Sequence, residues 1–102
     1  MATLSRYSDS RLLELIGKND QQALETIFER YWAQLFDFVH ARVCSVDSSR
    51  SIVQEIFITL WLQRRYLSIH CLQEYLYADA YTRSMEYLAE SVKDILEEPV
   101  LS

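Results

Sequence analysis

Apolar residues return along this chain at intervals of three and four. Leu24, Phe28, Leu35 and Val39 mark one such stripe, with Ile27, Tyr31 and Trp32 beside it. That spacing is one face of an α-helix, and the stripe's breadth suits a central helix. It predicts a long helix from Gln21 to about Val43, capped by Asp20 of the "KND" break. Upstream, Leu12, Leu13, Leu15 and Ile16 give a short helix that Ser8 caps, with Asp9 in its first turn. It runs to about Ile16, and Gly17 stops it. In "SIVQEIFITLW", residues 51–61, the apolar pairs Ile52-Val53, Ile56-Phe57 and Leu60-Trp61 stack one above the other. They predict a third helix from about Arg50 to Tyr66, capped by Ser48 or Ser49 after the polar loop "CSVDSSR". After the break "LSIHC", Leu76, Ala80, Met85, Leu88, Val92 and Ile95 mark a fourth helix from Leu72 to about Leu96, ended by Glu97, Glu98 and Pro99. The pattern predicts an all-α fold: a compact helical bundle of three long helices plus one short N-terminal helix. A loose N-terminal arm (1–8) precedes the helical domain (9–97), and a short tail (98–102) follows it.

Composition sharpens this picture. A chain of 102 residues fits one domain, and its single Gly and single Pro leave little for the turns of a strand-rich fold. The net charge of −5 argues against an autonomous nucleic-acid binder, which needs clustered Lys and Arg. It does not exclude DNA contact made inside a larger complex. Cys44 and Cys71 lack paired spacing and read as free, buried thiols in a reducing compartment. No stretch approaches a membrane span, and "MATLSRYSDS" lacks the apolar core of a signal peptide. The expected location is the cytoplasm, away from the membrane.

Candidate chemistry is sparse, and an enzyme is not expected. Gly17 is the only glycine, so there is no glycine-rich phosphate loop. His40 and Cys44 lie one helical turn apart, but a metal site would need two further ligands, and only His70 and Cys71 could supply soft ones. Core or interface roles fit them better, and no cofactor is expected. Glu86, Glu90, Asp94, Glu97 and Glu98 read as a solvated helix face rather than paired acid–base groups. Tyr66, Tyr75, Tyr77, Tyr81 and Tyr87 crowd the last third of the chain. Rings interleaved with cations stack single-stranded bases. From Tyr75 onward, however, only Arg83 and Lys93 answer Asp79 and the five carboxylates just named. Core packing or protein contact is the better reading of these rings. On the third helix, Gln54, Ile58 and Leu62 form a ridge at intervals of four. It suits either a partner helix or burial in a larger core.

The order "LLELIGKNDQQALETIFERYW", a polar loop, "SIVQEIFITLW" and "EYLYADAYTRSMEYL" resembles region 2 of the sigma-70-type RNA polymerase sigma factors. The likeness is to the small extracytoplasmic-function group, in the version common in Bacteroidetes, and covers roughly residues 9 to 90. Its most specific parts are "KND" followed by "ALETIFERYW", and "IVQEIFITLW" followed by Arg64-Arg65. The resemblance implies an all-helical domain whose Gln-Glu helix docks on the β′ clamp helices of core RNA polymerase. Ser51, Gln54, Glu55, Ile58 and Leu62 then form the polymerase-binding set. It also implies that the following loop and last helix contact the −10 promoter element, through Ser68, His70, Tyr75, Tyr81, Thr82 and Arg83.

The chain departs from the family in places. Ser51 stands where an acidic residue is usual, preceded by Arg50. Basic and Asn positions of the last helix are Ala78, Tyr81, Thr82, Ala89 and Glu90, and Asp79 replaces an apolar residue. These changes weaken phosphate attraction. The helix-turn-helix domain that reads the −35 element has no counterpart in the sequence. The expected function is a sigma region 2 domain of transcription initiation that binds the clamp and contacts −10 DNA. The alternative is a degenerate sigma-like interaction module that binds polymerase or an anti-sigma partner without reading DNA.

Overall fold

A computed structural model describes residues 3–97. The fold is all-helical: α1 (Asp9–Gly17), α2 (Gln21–Val43), α3 (Val46–Leu62) and α4 (Leu72–Glu97), preceded by a 3-10 turn at Thr3–Arg6. This is the expected arrangement of one short and three long helices. The expected tail at 98–102 lies outside the described residues.

The first two caps are those the sequence announces. The Ser8 hydroxyl accepts from the Arg11 amide at 3.2 Å. The Asp20 carboxylate accepts from Gln22 and Ala23 at 3.0 and 3.2 Å. Each satisfies N–H groups that a helix start leaves without partners.

The third helix corrects the expectation at both ends. It starts at Val46, and its cap is Ser45, whose hydroxyl accepts from the Ser48 amide at 3.2 Å. Ser48 and Ser49 lie inside the helix, and Ser49 is fully buried. The turn before it is short because Cys44 takes a left-handed conformation, φ 61°, and donates its amide to the His40 carbonyl. The helix ends at Leu62 rather than Tyr66. There the Arg64 guanidinium donates to the Trp61 carbonyl at 2.7 Å and lies over the Trp61 ring at 3.9 Å. Arg64 also reaches Asn19 through Nε and Nη2 at 3.0 and 2.8 Å, and Arg65 adds a bond to the same oxygen. Asn19 is left-handed, φ 69°. The "KND" turn and the Arg64-Arg65 pair, far apart in sequence, therefore form one clasp.

α2 is central and packs against α1, α3 and α4. Ala23, Ile27, Tyr31, Leu35, Val39 and Val43 form its buried face. Leu24, Phe28 and Trp32, expected with that stripe, are half-buried on the flank towards α3. There Phe28 stacks on Trp32 at 5.3 Å and tilts against Phe57 at 4.9 Å. From α3, Ile52, Val53, Ile56, Phe57 and Leu60 enter the core, while Trp61 stays half-buried at its rim. Part of the expected loose arm is packed. Leu4 and Tyr7 pack on the core, and Arg30 binds the Tyr7 carbonyl at 2.9 Å and the Asp9 carboxylate at 2.7 Å.

α4 carries two apolar stripes. Leu72, Leu76, Ala80 and Ser84 face the core. Tyr77 packs edge-on against Phe38 of α2, and Tyr87 accepts a bond from Ser48 at 3.3 Å. That contact sets Tyr87 level with the start of α3, so the turns beyond it project past the body. Val92, Ile95 and Leu96 are 53%, 69% and 77% exposed there. The molecule measures 62 × 26 × 19 Å. Both cysteines are exposed and free, against the expectation of buried thiols. Among the described residues, no helix is long and apolar enough to cross a membrane.

Candidate functional site

α3 turns its apolar pairs inward, and this leaves Ser51, Gln54, Glu55, Ile58 and Leu62 on one outward face. All five are exposed, and Ile58 and Leu62 remain 55% and 67% accessible. Among the described residues, then, the ridge is not buried in a larger core.

The face has two edges. Towards α2, Gln54, Ile58 and Leu62 border a groove of about 430 Å³ whose other walls include Leu24, Phe28, Phe57 and Trp61. Glu25 and Glu29 of α2 stand at its rim. Phe28, stacked on Trp32 and tilted against Phe57, fixes the groove floor. An apolar trough with a carboxylate rim suits a helix with an apolar stripe and basic flanks. The sequence missed the α2 wall, because Leu24 and Phe28 were read as core. The signal was present in their i,i+4 column, which runs beside the buried stripe rather than within it.

Towards α4, Ser51 and Glu55 border a shallow furrow with Asp47, Glu86 and Glu90, where Arg83 supplies the cation. Arg83 binds Glu55 at 3.1 Å, Asp79 at 3.2 Å and the Thr59 hydroxyl at 2.8 Å. One expected polymerase contact and one expected DNA contact are thus bonded to each other. Arg83 fastens α3 to α4 and is not a free cation for phosphate.

The other expected DNA-contacting residues are spread out. Ser68 and His70 are exposed in the α3–α4 loop and share a shallow depression with half-buried Tyr75. Burial chiefly pushes the Tyr75 phenol up, Asp79 adds to this and Arg83 opposes it. Tyr75 is therefore a neutral hydrogen-bonding group at physiological pH. Tyr81, 51% exposed, and Thr82 lie farther along α4 on its outer side. Around them Ala78 and Ala89 offer no charge to a phosphate. Tyr77 and Tyr87 pack on the core, whereas Tyr66 is exposed.

His40 stacks on Phe36 at 5.6 Å and is half-buried, and Cys44 is an exposed helix cap. Among the described residues, no group of three or more His, Cys, Asp or Glu side chains could hold a metal ion. Glu86, Glu90 and Asp94 are exposed along α4. The chain matches no protein-family model, no curated protein and no solved structure.

Proposed function

We propose that this chain is a sigma region 2-like domain of transcription initiation that binds the β′ clamp helices of core RNA polymerase through the outer face of α3. The observation that carries the reading is the exposed Gln54–Ile58–Leu62 ridge beside an apolar, acid-rimmed groove. Gln54 supplies hydrogen bonds at one end of the ridge, and Ile58 and Leu62 supply apolar contact. Glu55 remains 61% exposed while it holds Arg83, so it can accept one further bond.

A second reading has its own support. Promoter contact needs cations on the loop and last helix. Here Arg83 is committed to carboxylates, and the outer side of α4 carries Tyr81, Thr82 and alanines. These features favour a sigma-like interaction module that binds polymerase, or an anti-sigma partner, without reading DNA.

Two assays separate the readings. In the first, the domain is titrated with a clamp-helix fragment. Wild type binds, and Gln54→Ala and Ile58→Ala each weaken binding about tenfold, as central contacts do. Absence of binding by wild type rejects the clamp assignment. In the second, single-stranded −10 DNA is offered to the assembled polymerase complex. Sequence-specific binding supports promoter contact, and clamp binding without it supports the interaction module.

A further inference from the structure

The projecting end of α4 presents an apolar stripe that the described residues leave largely open. Met85, Leu88, Val92 and Ile95 alternate at steps of three and four, and Ala89 and Leu96 widen the stripe. Met85 and Leu88 are half-buried near the body, and exposure rises from Val92 to Leu96. At 3.6 residues per turn these six fall within an arc of about 120°. The steps match the seam of paired helices, and Ser91 beside it is small enough for close approach.

Charge placement selects the occupant. Glu86 and Lys93 stand on the same flank of the stripe, one on each side of its midpoint near residue 90. The other flank carries Ser91, since Ser84 is turned into the core. If a second copy lies antiparallel, a two-fold axis beside residue 90 keeps each flank facing its own counterpart and reverses direction. Met85 then faces Ile95 of the other copy, Leu88 faces Val92, and Glu86 faces Lys93 in two symmetric pairs. A parallel pairing instead sets the charged flank against the serine flank and gains no ion pair. We propose that the end of α4 is an antiparallel self-association surface. Six side chains cover well under the roughly 800 Å² per partner of a standard interface, so the dimer is weak and forms only at high concentration.

Sedimentation equilibrium of the full chain in reducing buffer tests this, over roughly 10 µM to 1 mM, the weak regime that so small an interface implies. The expected result is a mass rising towards two chains. Lys93→Glu and Glu86→Lys each weaken association about tenfold, by replacing attraction with repulsion, and the double exchange restores it. Val92→Glu abolishes it, and because Val92 is exposed the fold survives, which circular dichroism checks. A wild type that stays monomeric throughout, or single exchanges that associate like wild type, overturns the proposal. So does a double exchange that stays as weak as either single. Val92 and Lys93 lie outside the furrow that Glu86 shares with Ser51 and Glu55, so Val92→Glu and Lys93→Glu separate self-association from the clamp binding proposed for α3.

Discussion

At the scale of single residues, two polar side chains inside the fold behave differently. The Tyr31 ring is buried, and its hydroxyl donates to Asp9 at 2.5 Å while Arg30 holds the other carboxylate oxygen. Burial pushes the Tyr31 phenol far above the ordinary range, and the bond and charge of Asp9 push the same way. A raised folded-state pKa means a stabilising contribution that is complete below the unfolded phenol value of about 10 and is lost as pH rises above it. Urea midpoints measured from pH 8 to 11 should therefore fall above about pH 10 in wild type, and less steeply in Tyr31→Phe. At pH 7 Tyr31→Phe should cost about 1.5–3 kcal/mol, the worth of a hydrogen bond to a charged group. Parallel pH curves for the two proteins would disprove this. Ser84, by contrast, is fully buried on α4 and its hydroxyl has no partner. Ser84→Ala removes that desolvated group and adds helix propensity, so it should stabilise by about 1 kcal/mol in the same assay. A loss of stability would show that the hydroxyl has a partner after all. The sequence offered neither role. Tyr31 was legible only as part of a stripe, and Ser84 as a helix residue without a face.

Among the elements, legibility depends on whether a helix start is also a break in composition. Ser8 and Asp20 each stand between an apolar run and a turn, and both caps were readable. Ser45 sits inside a polar run that continues into the first turn of α3, so polarity disguised helix as loop. Serines and Asp47 are well placed there, because the first turn exposes N–H groups and favours an acid. The functional face shows the same division. The Gln54–Ile58–Leu62 ridge follows from spacing on one helix and was visible. The groove beside it needs two helices in register, and that register is fixed by the Phe28–Phe57 contact, which no local pattern encodes. The test of the corrected start is thermodynamic. Ser45→Ala should cost about 1 kcal/mol, as Asp20→Ala should at α2, whereas Ser48→Ala should stay within about 0.5 kcal/mol. Urea unfolding at pH 7 measures all three. A Ser48→Ala loss exceeding that of Ser45→Ala would return the cap to the position the sequence suggested.

For the whole molecule, the lopsided shape has a consequence for local stability. The packed part of α4 meets α2 through Tyr77 and α3 through Arg83 and Tyr87, and opens only with the bundle. Beyond Tyr87, the helix has its own backbone bonds and little tertiary cover. About ten residues are too few to hold a helix in water by themselves, so this end draws its order from continuity with the packed half. Opening there costs much less than global unfolding. In dilute solution, amides from Ala89 to Leu96 should therefore exchange with deuterium at least about a hundredfold faster than those from Leu76 to Ser84, once corrected for intrinsic rates. The sequence could not show this, because Leu76, Ala80, Met85 and Leu88 read as one continuous stripe. The step of five from Ala80 to Met85 is where the apolar side rotates off the core. Residue-resolved hydrogen exchange at micromolar concentration makes the measurement, and equal protection along α4 would contradict the projecting end. Repeating it near millimolar concentration adds a directional check. Protection should rise from Ala89 to Leu96 and stay unchanged on the outer face of α3, because self-association covers the former and leaves the latter open to a partner.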